Sequence, residues 1–235
     1  MPSLTMRQIQ LFRNNGFLCF PDLLPEEMIE NLKTAIMEDI DREVEPIVRN
    51  KDGRPVRISA LMDRAPIFRE AVTHPYALNP LESLLGPNIE ILTNRHNHAT
   101  LRTAEDNKGA YLHRDVRQWT RNIYTIIFYL EETTLENGCT RIIPGSHHFP
   151  GTSTSIHDAE WASDVLGQAL PVPMPAGGML AIDSMVVHGA GENHTDDTRM
   201  SMTIGYHSVD ELMDIPNPKR LLVRGEGLYN GNDRK

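Results

Sequence analysis

What this chain has little of narrows its function before any motif is considered. It holds two cysteines, Cys19 and Cys139, far apart and in no zinc-ligand spacing. Neither a disulfide framework nor a cysteine-held metal is therefore expected, and free thiols in a reducing cytoplasm are. No apolar run approaches the roughly 20 residues that a membrane-spanning helix needs. The amino terminus also lacks the apolar core of a secretory leader. Positive charge is in the minority: 23 Lys and Arg stand against 32 Asp and Glu, a formal charge of −9, with no block of five like charges. A nucleic acid or an anionic membrane is thus a poor partner, which leaves a small molecule or another protein. Internal repeats and low-complexity tracts are absent too. With 235 residues the chain is expected to form a single domain over 1–235.

What is present divides into helices followed by strands. Met6, Ile9, Leu11 and Phe12 suit a short helix over 5–15 that Gly16 would end, with a short strand over 17–20 behind it. Pro25 opens a longer helix in which Met28, Ile29, Leu32, Ile36 and Ile40 recur at spacings of three and four, with acidic residues in its first turn. Residues 46–65 mix proline, glycine and charge without a period, so a mobile loop with its tip at 51–54 is expected. Two short helices are predicted over 66–73 and 75–85, the second stopped at Gly86-Pro87.

Beyond Pro87 the period shortens to that of strands, predicted at 89–100, 122–130, 139–143, 179–187 and 200–206. This order implies a mainly β fold with flanking helices, a double-stranded β-helix or jelly roll, rather than alternating βα units.

The chemistry centres on His113-Arg114-Asp115. On extended backbone an imidazole and a carboxylate two positions apart point to the same side and can reach one cation. By itself the tripeptide is weak evidence and suits a surface turn equally well. The His-Arg-Asp loop of protein kinases is excluded, since position 120 is Thr120 and neither a glycine-rich loop nor Asp-Phe-Gly is present. His188, at the end of the apolar run 179–187, could complete a 2-His-1-carboxylate face with open coordination positions. Taken singly it could just as well cap a strand. Arg199, eleven positions later, offers a fork suited to a carboxylate, and Ser201 falls on the same strand face.

Together these motifs, with Asn14-Asn15-Gly16-Phe17, Leu84-Leu85-Gly86-Pro87, Asn137-Gly138-Cys139, Ile143-Pro144-Gly145-Ser146-His147 and His188-Gly189, resemble the phytanoyl-coenzyme A dioxygenase-like family of Fe(II)- and 2-oxoglutarate-dependent oxygenases. The resemblance extends over most of the chain. It implies that His113, Asp115 and His188 hold Fe(II), that Arg199 and Ser201 hold the distal carboxylate of the cosubstrate 2-oxoglutarate, and that Asn97 also contacts it or else packs. The segment Asn94-Arg95-His96-Asn97-His98 is similar to oxygenases that close orthoester or methylenedioxy rings in oligosaccharide antibiotics, which implies a sugar-containing natural product as substrate.

His96 and His98 could form a second metal pair, though packing or contact with substrate hydroxyls is the commoner role. His147-His148 could line the entrance or sit in an exposed loop. Trp119 and Trp161 could stack on a ring or serve as rim residues. A jelly-roll carbohydrate-binding module without iron and a cupin-like metal-dependent isomerase or lyase are the rival readings.

Overall fold

The computed structural model describes residues 4–93, 96–106, 111–116, 122–149, 162–209 and 219–227. Helix α1 (Met6–Asn15) starts at Thr5, whose hydroxyl accepts from the Gln8 N–H while the Gln8 side chain accepts from the Thr5 N–H. It stops at Gly16, whose φ of 79° suits a residue without Cβ. Strand β1 (Phe17–Cys19) leads into α2 (Glu26–Asp41), where Ile29, Leu32 and Ile36 form the buried stripe read from their spacing. Each such side chain contributes about 1.5–3 kcal/mol when fully buried.

Residues 46–65 are not the mobile loop expected from their composition. They form the hairpin β2 (Ile47–Arg49) and β3 (Pro55–Ser59), turned by the Asn50 side chain accepting from the N–H groups of Asp52 and Arg54. Backbone pairing of β3 with a later strand holds it, and within the two strands only Ile58 is fully buried, so little periodicity could show. Helices α3 (Pro66–Val72) and α4 (Pro75–Leu85) follow as read.

The strand predicted over 89–100 is two, β4 (Ile89–Leu92) and β5 (Asn97–Arg102), separated by a turn in which His96 has φ 45°. Next come β6 (Ile123–Tyr129), β7 (Thr140–Ile143), the short α5 (Ala162–Leu166) and β8 (Leu170–Val172). The apolar run 179–187 also divides, into β9 (Met179–Asp183) and β10 (Val187–Ala190), which belong to different sheets. Asp183-Ser184 interrupt the run where it divides, but which sheet each part joins cannot be read from it, because both parts are largely buried. Strands β11 (Arg199–Ser208) and β12 (Arg220–Arg224) end the described chain.

A nine-stranded sheet runs β1-β9-β6-β11-β5-β3-β2, with β4 joined to β11 and β12; a three-stranded sheet runs β10-β7-β8. Alternation on the large sheet assigns its faces. Ile126 and Phe128 of β6, Met200, Met202 and Ile204 of β11, and Ala99 and Leu101 of β5 join Leu32, Phe68 and Leu81 of the helices in one core. The opposite face carries Tyr129, Leu180 and Ile182, which pack with Ile142 and Val172 of the small sheet. The result is a helix-buttressed jelly roll.

Candidate metal centre

The open end of the roll is where the two sheets bring His113, Asp115 and His188 together. His113 and His188 face each other in an antiparallel bridge: the His113 N–H donates to the His188 carbonyl at 2.8 Å, and the His188 N–H returns the bond at 3.0 Å. Directly opposed residues in such a pair project to one side, and the ring centroids are 4.8 Å apart. Asp115 is placed by its N–H donating to the Ser184 carbonyl at 2.9 Å, in the turn between β9 and β10.

Each imidazole is oriented from behind. His188 Nδ1 lies 3.0 Å from the Val186 carbonyl and His113 Nδ1 lies 3.4 Å from that of Tyr111. With Nδ1–H donating to those oxygens, the Nε2 lone pairs remain for a cation. Both Nε2 atoms are 3.6 Å from Asp115 Oδ1. The other carboxylate oxygen, Oδ2, accepts from the Thr125 hydroxyl at 2.8 Å, and Thr125 in turn meets Ser184 Oγ at 2.9 Å. Three donors on one face of an octahedron with bonds of ~2.1 Å lie about 3.0 Å apart, and here the three atoms lie within 4.8 Å of one another, so they would draw together around a first-row metal. Its two imidazoles and single carboxylate suit a non-haem iron face.

Burial pushes the Asp115 carboxyl up, but the fields of His188, His113 and His96 outweigh it and hold it well below the usual carboxylate range. Burial lowers His188, with Asp115 opposing. At His113 burial also lowers, yet the Asp115 hydrogen bond and charge win and its pKa is raised. The Asp115 and His188 side chains are 5% and 8% exposed and that of His113 is 38%, so the cluster opens on the His113 side.

It opens into a cavity of about 650 Å³. The cavity floor is the inner face of the large sheet, in register across strands: Tyr129, Ser201 and Thr100 form one row, Ile127, Thr203 and His98 the row nearer the cluster. Thr100 and Ser201 hydroxyls are 3.1 Å apart. Arg199 closes the far end and is 7% exposed. Its one hydrogen bond among the described residues goes to the Asn137 carbonyl at 3.4 Å. Burial, then the charge of Arg102 opposite it, lowers its pKa to about 10, which leaves it protonated at neutral pH.

Asn97, read as either a cosubstrate contact or a packing residue, packs away from the cavity. Alternation along β5 sends His98, Thr100 and Arg102 into the cavity and Asn97 to the helix side, where its Oδ1 accepts from the Met62 N–H and its Nδ2 donates to the Thr93 carbonyl. It braces the turn before β5 and does not line the cavity. His96 and His98 do line it; their ring centroids are 6.3 Å apart, and burial, with the charges of His96, Arg57 and Arg102, lowers His98 to about 4. His147 and His148 are not at the entrance: both rings face the Arg13 carbonyl at the end of α1. Trp119 and Trp161 lie outside the described residues. Thr125, Tyr129 and Arg102 were not singled out from the sequence, although a period of two counted along β6 and β5 would have placed them on the inner face.

Sequence comparison agrees with the geometry. The profile described as Phytanoyl-CoA dioxygenase (PhyH) matches residues 12–201, a span that contains the three clustered donors, Arg199 and Ser201. The chain belongs to the phytanoyl-CoA dioxygenase family. Among PhyH relatives, phytanoyl-CoA dioxygenase domain-containing protein 1 of Mus musculus is 36% identical over 89 residues, which is 32% of this chain and 30% of that protein. Dioxygenase aneA of Aspergillus aculeatus is 24% identical over 219 residues, 84% of this chain and 70% of its own length. Among solved structures, the epimerase SnoN in complex with Fe3+, alpha ketoglutarate and nogalamycin RO shares the fold at TM-score 0.74 and 18% identity, over 93% of this chain and 98% of its own. Family and fold are those of a 2-oxoglutarate-dependent dioxygenase. No described helix is long and apolar enough to cross a membrane.

Proposed function

We propose that this protein is an Fe(II)- and 2-oxoglutarate-dependent oxygenase that oxidises a natural-product scaffold bearing sugar hydroxyls, by hydroxylation or by oxidative ring closure. The observation that carries the reading is the convergence of His113 Nε2, His188 Nε2 and Asp115 Oδ1 on one point at the mouth of a cavity whose far end is a buried arginine. Iron bound by these atoms, with 2-oxoglutarate and dioxygen, supplies an oxidant able to remove hydrogen from a carbon, with succinate and carbon dioxide as the other products.

The chain's own residues do the rest. Arg199 presents its fork to the distal carboxylate of the cosubstrate, and Ser201 adds a hydroxyl from the next inward position of β11. The walls shield the buried faces of Asp115 and His188 from water, while the exposed flank of His113 admits the substrate. His98, which burial keeps neutral, can both donate to and accept from a hydroxyl group. Substrate hydroxyls are supported by this polar wall, and a natural-product scaffold by the ligand nogalamycin RO in the SnoN structure.

Anaerobic addition of Fe(II) and 2-oxoglutarate tests the reading. A weak visible charge-transfer band is expected for the oxygenase. Intact protein that gives no band favours a jelly-roll carbohydrate-binding module, and metal binding without cosubstrate binding favours a cupin-like isomerase or lyase.

A further inference from the structure

The turn at 144–148 is outside the metal cluster, yet its hydrogen bonds reach both segments that supply the donors. Arg114, between His113 and Asp115, is among the largest fully buried side chains of the protein, at 1% exposure. Its Nη2 donates to the Ser146 carbonyl and to the Phe149 carbonyl, each at 3.0 Å. The fully buried Ser146 hydroxyl donates to the Ile143 carbonyl at 2.6 Å and accepts from the Val187 N–H at 2.7 Å, one residue before His188. The same turn is tied to the end of α1 by the Gly145 N–H donating to the Asn15 carbonyl at 2.8 Å.

We infer that Arg114 and Ser146 are positioning residues of the metal centre: their junction sets the distance and twist between the segment carrying His113 and Asp115 and the strand carrying His188. This rests on the reading of those three residues as metal ligands. The mechanical reason is simple. The backbone bonds of His113 with His188 and of Asp115 with Ser184 fix the two segments along their facing edges, and the side away from those bonds is left to side chains. Arg114 and Val187, each one residue from a donor, meet on that side through a common serine, which holds the twist between the segments. What the centre gains from Arg114 is a planar group that bonds the Ser146 and Phe149 carbonyls in a fixed geometry. Mutation of such outer partners typically costs 10–100-fold in metal affinity.

The test uses Co(II) as probe on the full chain, reading its dissociation constant and its visible d–d spectrum. Arg114→Lys and Ser146→Ala are expected to bind Co(II) about 10–100-fold more weakly and with an altered spectrum. Ile36→Ala, destabilised by a cavity in the distant α2 core, is expected to keep the native affinity and spectrum, which separates positioning from general loss of stability. Should Ser146→Ala fail to fold, Ser146→Cys retains a weaker donor and acceptor at the same atom and is expected to give an intermediate affinity. Folded Arg114 and Ser146 variants with native affinity and spectrum would overturn the inference. Failure of the underlying reading looks different: His188→Ala would then bind Co(II) as well as the native protein does.

Discussion

Thr125 donates its hydroxyl to one oxygen of Asp115 at 2.8 Å, and the other oxygen stands 3.6 Å from the Nε2 atoms of both His113 and His188. One carboxylate oxygen is thereby committed to the protein and one is presented to the cation. Thr125→Val removes the donor and leaves Oδ2 free to swing toward the metal. We expect about a 10–100-fold loss of Fe(II) affinity, measured by anaerobic titration, with the far-ultraviolet circular dichroism unchanged.

Arg199→Lys replaces a fork with a point charge, so the two-pronged contact with a carboxylate is lost. The dissociation constant for 2-oxoglutarate is expected to rise at least tenfold, consistent with about 1.5–3 kcal/mol for a hydrogen bond to a charged group, while Co(II) affinity stays native. Parallel titrations decide it. Equal loss of both ligands would instead make Arg199 a folding residue.

Asn97 faces the helices, and its two side-chain hydrogen bonds brace the turn before β5. Asn97→Ala is expected to lower unfolding stability by about 1–3 kcal/mol in denaturant titration, because the Met62 N–H and the Thr93 carbonyl lose their partner. Affinity for 2-oxoglutarate should not change. A selective loss of cosubstrate binding would return Asn97 to the site.

Asp115→Ala removes the anionic donor of the set, and most oxidative turnover should go with it, followed as succinate formation with mass analysis of the product. Because the native chain keeps a carboxylate where a coordination position would otherwise open for chloride, the native protein in chloride buffer is expected to form no chlorinated product. Native turnover in the variant would mean that the metal lies elsewhere.

His98→Leu removes a neutral imidazole from the wall near the cluster while leaving Arg199 and Ser201 untouched. A higher substrate KM with unchanged 2-oxoglutarate affinity is the expected outcome in steady-state assays. A changed cosubstrate affinity alone would assign His98 to 2-oxoglutarate.

Sequence by itself determined the helical amino-terminal part and singled out the residues that the fold gathers at the site. Repeats of three and four in α2, the Thr5 and Gly16 boundaries of α1, and the Pro and Gly stops of α3 and α4 are local effects that need no distant contact. His113, Asp115, His188 and Arg199 were legible because their spacings fit one chemistry together. Tertiary structure alone decided the rest. The halves of 89–100 both pair with β11, at 206–208 and at 199–204, while those of 179–187 join different sheets, and these partners come from distant parts of the chain that local composition does not record. The hairpin at 47–59 exists because β5 offers an edge for backbone pairing, which composition does not record. The two roles left open for Asn97 could not be separated in the sequence for the same reason: which side of the sheet a strand residue faces follows from register, and register is fixed only when the neighbouring strands have been packed.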